Sequence, residues 1–206
     1  RAVERAVMTT RSVRVLLVAG AFLTGLILCF AVILLVSGRG PAPSVSQIAT
    51  IGGPFILTDQ NGRTVTDRDL KGHPFLVFFG FTHCPDVCPT ALFEVSEILR
   101  ALGPDADRVH ALFITVDPER DTPATLKDYL SSFDPRLSAL TGDADAVAAV
   151  AKAYRVYFKK VPLSEGGYTM DHTAIVYLMN KDGKFVSPFN IKRPPEVAAA
   201  DLRKYL

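Results

Sequence analysis

The sequence predicts a three-layer α/β/α sandwich with a mixed central sheet, preceded by one N-terminal transmembrane helix. Three observations carry that expectation. An uncharged apolar run fills Val15 to Val36. Beyond it, strand-like apolar runs alternate with segments of helical periodicity and end in a hairpin and a helix, the order expected of helices packed on a largely parallel sheet. Two cysteines, Cys84 and Cys88, sit where the most apolar of those runs gives way to a helix. Unpaired N–H groups and the helix dipole at such a junction favour a thiolate.

The apolar run comes first in the chain. About 22 residues rich in Leu, Val, Ile, Ala and Phe reach roughly 33 Å as a helix, enough to cross a bilayer. A cleaved signal peptide would carry a shorter apolar region, of about 7–15 residues. Arg1, Arg5, Arg11 and Arg14 precede the run against a single Glu4, and only Arg39 follows closely, so the positive-inside rule leaves the N-terminus in the cytoplasm and the rest outside. Cys29 lies within the run after Leu28, where a lipoprotein acceptor would want a small residue, and reads as one more apolar side chain. The chain opens on Arg1 rather than Met, which leaves its true start open.

Gly38-Arg39-Gly40-Pro41-Ala42-Pro43-Ser44 is a linker by composition. Phe55 to Thr58 and Arg63 to Thr66 form a predicted hairpin around Asn61-Gly62, a pair suited to the left-handed angles of a tight turn. Phe75 to Phe81 is a strand buried on both faces and marks the sheet centre. Leu92, Val95, Ile98, Leu99 and Leu102 recur at helical spacing and predict a helix from Pro89 to Leu102. Val109 to Val116 is the next strand. Thr122-Pro123 supplies an N-cap and a first helical position for a helix to Phe133, Leu137 to Leu140 is a short strand, and Asp143 caps a helix to Tyr154. Ala174 to Met179 and Phe185 to Ser187 flank the turn at 181–184, and Glu196 to Tyr205 is a closing helix. The expected organisation is a cytoplasmic tip at 1–14, an anchor at 15–36, a linker at 37–54 and a globular domain at 55–206.

With 206 residues, 49% hydrophobic and 21% charged, the chain has room for one ordinary domain plus an appendage and is folded rather than disordered. Its net charge is +2. Five Arg against one Glu place +4 in residues 1–39 and leave −2 for the remainder. That balance, with charges scattered along helix faces, points away from nucleic acid. Free cysteines also pack as small hydrophobes, but Pro85 and Pro89 beside Cys84 and Cys88 argue against an inert pair. Outside the cytoplasm two such thiols tend to become a disulfide unless a reductant or a metal holds them.

The order of elements, with cysteines at the strand-to-helix turn, resembles a thioredoxin-type fold. Thioredoxin itself has two residues between its cysteines and a preceding Trp; this chain has three between and no Trp. Val87-Cys88-Pro89-Thr90 is similar to the peroxidatic segment of peroxiredoxins. The position three before the cysteine, where those enzymes carry a hydroxyl, is Pro85 for Cys88 and Phe81 for Cys84.

Gly80-Phe81-Thr82-His83-Cys84-Pro85-Asp86-Val87-Cys88-Pro89, Thr115-Val116-Asp117-Pro118-Glu119-Arg120-Asp121-Thr122-Pro123 and Asp171-His172-Thr173-Ala174, with Tyr154-Arg155-Val156-Tyr157, closely resemble the Sco/SenC family. The likeness runs from about Phe55 to the C-terminus. It implies a membrane-anchored, thioredoxin-like copper protein that helps assemble the binuclear copper centre of cytochrome c oxidase. By the same resemblance the copper ligands are Cys84, Cys88 and His172.

That donor set is chemically apt. Two thiolates select Cu(I), and an imidazole can remain bound as the metal becomes Cu(II). Residues four apart share a helix face, so Cys84 and Cys88 can reach one ion if the first turn forms around them, with His172 arriving from a loop before the Ala174 strand. His83 is a candidate auxiliary ligand or partner contact, and His73 and His110 read as structural. Asp171 reads equally as an acceptor that orients His172 or as a plain loop carboxylate. Asp117 and the charged turn through Asp121 read as a docking or pocket-lining surface or as a capped loop before a helix. Two functions remain open. One is a metallochaperone delivering copper to the oxidase's copper-bearing subunit, supplied by other copper chaperones. The other is a thiol-disulfide oxidoreductase, fed by thiol reductants, that uses Cys84 and Cys88 as a redox dithiol on that subunit's cysteines.

Overall fold

The protein is described by a computed structural model over residues 10–37 and 50–206. The linker expected at Gly38–Ser44 lies outside the described residues. The chain divides into an N-terminal unit and a C-terminal domain. Among the described residues the first contains one helix, α1 (Thr10–Ser37), within which Val13–Leu35 is long and apolar enough to cross a membrane. Its described side chains stand exposed all around, as an apolar helix facing lipid would require.

The C-terminal domain begins with the expected hairpin, β1 (Ile56–Asp59) and β2 (Thr64–Thr66), turned at Gly62 with φ +79°. Then follow β3 (Phe75–Gly80), α2 (Val87–Leu102), β4 (His110–Thr115), α3 (Pro123–Leu130), β5 (Leu137–Thr141) and α4 (Ala144–Ala153). Thr122 and Asp143 cap α3 and α4 by accepting from the backbone N–H of Thr125 and Ala146, as their sequence positions predict. The chain continues through β6 (Phe158–Pro162), β7 (Tyr168–His172), β8 (Val176–Met179), β9 (Phe185–Pro188) and α5 (Pro195–Arg203).

Seven strands make one mixed sheet in the order β2-β1-β5-β4-β3-β8-β9. Strands β3, β4 and β5 run parallel, while β8 returns antiparallel beside β3. Every residue of β3 is buried. Because successive strand residues face opposite ways, both faces of the sheet are covered, giving the three-layer thioredoxin-like sandwich. Phe75, Phe79, Phe113, Ile114, Leu92, Ile98 and Leu99 are among its largest fully buried side chains.

The parallel register sets Gly80 opposite Thr115. The turns that leave the carboxyl ends of β3 and β4 are therefore neighbours, at the edge where open α/β sheets bind ligands. Several features depart from the sequence expectation, among them the end of α3 at Leu130 rather than Phe133. Helix α2 begins at Val87 rather than Pro89, since Pro is tolerated in a first turn whose N–H groups have no helical partner. His172 is the last residue of a strand rather than part of a loop: β6 and β7 form a separate antiparallel hairpin, with Phe158 opposite His172.

Candidate metal centre

Gly80 ends β3, and the lack of a side chain there is a steric requirement. A Cβ at this position would lie 2.7 Å from Cys88 Sγ and 2.7 Å from a ring carbon of Phe113. The chain turns through Phe81 to Asp86 and enters α2. Cys84 lies in that turn, half-buried, and Cys88 is fully buried in the first turn of the helix. Cys84 thus precedes the helix instead of sharing its face, and its sulfur accepts the backbone N–H of Cys88 at 3.4 Å, satisfying one of the orphan donors of a helix start. Helix position alone predicts a lowered cysteine pKa, but burial dominates at Cys88 and pushes its thiol up.

His172 reaches this turn from the end of β7. Its Nε2 lies 3.6 Å from Cys88 Sγ, and its Nδ1 lies 3.1 Å from the carbonyl of Thr173. A carbonyl can only accept, so in the neutral imidazole Nδ1 carries the proton and Nε2 turns its lone pair toward the sulfur. The ring is held edge to face by Phe81, 5.7 Å between centroids, and by Phe78 at 6.3 Å. The donor atoms of Cys84, Cys88 and His172 all lie within 4.8 Å of one another. Bonds of about 2.0–2.3 Å meeting near a trigonal angle would separate two donors by about 3.7 Å, so the sulfur–imidazole spacing fits two ligands of one ion. Both cysteines are free thiols, and metal binding would displace their protons.

The remaining sequence candidates separate clearly. His83 is exposed, paired with the Thr82 hydroxyl at 3.1 Å, and is not one of the clustered donors. His73 and His110 pack against each other, 5.4 Å between rings, at the opposite end of β4. Asp171 is exposed, and the acceptor beside His172 is the carbonyl of Thr173. Neither Asp117 nor Asp121 offers a docking surface, for both are buried.

Those two carboxylates instead hold the surrounding turns. Asp121 accepts from the backbone N–H of Thr82 at 3.0 Å, from the Thr82 hydroxyl at 2.6 Å and from the Thr115 hydroxyl at 2.6 Å. Asp117 accepts from Arg120 Nε at 2.5 Å and from the Tyr168 hydroxyl at 2.9 Å. Sequence reasoning gave Thr82 and Arg120 no role of their own and passed over Tyr168. For Tyr168 a signal existed: Tyr168, Met170 and His172 alternate along one face of β7, the two-residue period of a strand.

A thioredoxin-like domain with two thiols and an imidazole converging at the head of a helix is the class that this fold and this cluster define. The SCO1/SenC family model matches residues 44–206, and the chain belongs to that family. It is 43% identical over 157 residues to the mitochondrial SCO1 homologue of Homo sapiens, covering 73% of this chain and 51% of that protein. To the mitochondrial SCO2 homologue of Bos taurus it is 40% identical over 166 residues, covering 79% of this chain and 62% of the relative. The chain therefore spans between half and two thirds of the length of these curated relatives. The solved structure of Bradyrhizobium japonicum ScoI with copper bound is similar at TM-score 0.74 and 70% identity, covering 76% of this chain and 99% of that one.

Proposed function

We propose that the chain is a membrane-anchored copper metallochaperone that delivers copper to the binuclear copper site of cytochrome c oxidase, with Cys84, Cys88 and His172 as the ligands. The observation that carries this reading is the approach of two sulfurs and one imidazole nitrogen to within 4.8 Å of one another. Soft thiolates suit Cu(I), and the imidazole suits either copper state. Three protein donors leave one side of the ion open, so an acceptor's ligand can bind before the old ones leave. Exposed apolar Val87 and Ile175 line a cavity that is also bordered by Phe78, the ring set against His172, and suit a protein partner seated beside the site.

The reading extends to topology and domains. Residues 1–14 form a cytoplasmic tip, 15–36 the anchor, 37–54 a linker and 55–206 the copper-binding domain outside the membrane. Oxidase assembly rests on the family, of which a solved member carries copper. A second reading draws on the two free thiols: the same pair can reduce a disulfide of the oxidase's copper subunit, taking a disulfide between themselves as that one opens to two thiols. His172 separates the two readings, because thiol–disulfide exchange between sulfurs does not require an imidazole ligand.

The test is Cu(I) titration of the reduced full chain in detergent, by competition with a chromophoric chelator. His172→Ala and Cys88→Ser are each expected to weaken binding by about tenfold or more, ~1.4 kcal/mol at least. Undiminished affinity in both variants rules out the copper site as drawn. Reduction of an oxidised subunit peptide by His172→Ala at the parent rate, alongside lost copper transfer, separates the two activities.

A further inference from the structure

The turn between β4 and α3 touches both halves of the site without contributing a ligand. From one end, Asp121 binds Thr82 twice, through its backbone N–H and its hydroxyl, and Thr82 lies two residues before Cys84. Thr115, in β4, links the two carboxylates: its hydroxyl donates to Asp121 at 2.6 Å and accepts the backbone N–H of Asp117 at 2.9 Å. From the other end, Asp117 accepts from the Tyr168 hydroxyl and Arg120 Nη1 donates to the Tyr168 carbonyl at 3.0 Å. Tyr168 opens β7, the strand that His172 closes.

Arg120 ties the two ends together. Its guanidinium lies 3.8 Å from the Tyr168 ring centre and 5.9 Å from that of Phe81, and the Phe81 ring is the one set edge-on against His172. Lys160, on β6, adds an ion pair to Glu119 at 2.7 Å and lies 4.1 Å from the centre of the same tyrosine ring. The hairpin needs such an anchor, because β6 and β7 pair only with each other and not with the main sheet. An isolated two-stranded hairpin is marginal in water.

We propose that the 117–121 turn is a two-armed brace: Asp121, through Thr82, fixes the cysteine turn, while Asp117 and Arg120, through Tyr168, clamp the hairpin so that His172 stands at bonding distance from the sulfurs. Arg120, Asp117 and Tyr168 are positioning residues. The proposal rests on the reading of His172 as a copper ligand. Releasing the clamp lets the hairpin leave its closed position, and apparent affinity falls by the fraction of time the histidine is away.

The test measures Cu(I) affinity of the reduced full chain in detergent for Tyr168→Ala, Tyr168→Phe and Arg120→Lys, each with and without His172→Ala. If the hairpin is closed about a tenth of the time once the clamp is gone, Tyr168→Ala binds about tenfold more weakly. Tyr168→Phe, which keeps the stacked ring, regains part of that loss, and Arg120→Lys, which keeps charge but loses the flat stacking group, falls between. In the His172→Ala background none of the three adds a further loss. Without metal, hydrogen exchange of residues 158–172 speeds up in Tyr168→Ala while β3 and β4 keep their protection. Parent affinity in both Tyr168→Ala and Arg120→Lys, or equal losses with and without His172, overturns the brace alone. Parent affinity in His172→Ala overturns the ligand reading, and the brace with it.

Discussion

Thr82 gives Asp121 two of its three hydrogen bonds, and Asp121 is fully buried. A buried carboxylate that loses a donor keeps its desolvation penalty without the compensating bond. Thr82→Val, nearly the same shape without the hydroxyl, is therefore expected to lower stability by about 1–3 kcal/mol, and Thr82→Ser much less. Denaturant unfolding of the full chain in detergent measures both, and a valine variant as stable as the parent would show that the hydroxyl contributes nothing. At this scale the sequence was most legible where chemistry is concentrated in few atoms. Cys84, Cys88 and His172 stand in short words of distinctive spacing, and the fold brings their donor atoms together. Asp117 and Asp121 were ambiguous because a carboxylate in a Pro-flanked turn looks the same whether it faces water or a threonine in another loop. Their partners lie as far as 51 residues away, a separation that no local pattern encodes.

The junction of β3 and α2 is the element on which the sulfur positions depend. Strand β3 announced itself as an unbroken apolar run and α2 by its period, and both elements lie within two residues of where those patterns place them. What the patterns omit is the closeness of their join, which the last residue of the strand makes possible. Gly80→Ala puts a methyl group 2.7 Å from Cys88 Sγ and from Phe113, a contact that cannot stand without movement. Overpacking of this kind typically takes about 1–3 kcal/mol from stability. The sulfur and the Phe113 ring are equally near, and a sulfur pushed aside lowers copper affinity along with stability. Thermal unfolding and copper titration of the variant check both, and an alanine variant matching the parent in the two measurements would show that close approach at Gly80 does not constrain the sulfur. The β6–β7 hairpin was the least legible element for a different reason. Its strands mix exposed lysines with half-buried residues and the buried Met170 and pair only with each other, so no continuous apolar run marks them, the alternation in β7 spans only Tyr168, Met170 and His172, and the turn at Gly166 and Gly167 reads equally as a loop.

At the scale of the whole molecule, the apolar helix was legible from composition alone, because about 20 apolar residues in a row are enough to cross a bilayer as a helix, and Val13–Leu35 is such a helix. The sidedness proposed above rests on a second signal, the four arginines ahead of the span, which favour retention of the tip in the cytoplasm. If so, the sulfur pair works in an oxidising compartment, where copper or a reductant must protect it. The cysteines themselves report on this arrangement. Cys84 is half-buried and Cys88 fully buried, so a Cys29→Ala, Cys88→Ser chain leaves Cys84 as its single thiol. In right-side-out membrane vesicles, a membrane-impermeant maleimide is expected to label that thiol without detergent. Labelling only after detergent opens the vesicles would place the domain on the cytoplasmic face. In the Cys29→Ala chain with both site cysteines kept, prior loading with Cu(I) is expected to suppress the labelling, since a thiolate bound to metal is no longer the free nucleophile. An outward-facing thiol that copper does not shield would leave the topology intact and count against Cys84 as a ligand, so one reagent distinguishes the location of the domain from the chemistry of its site.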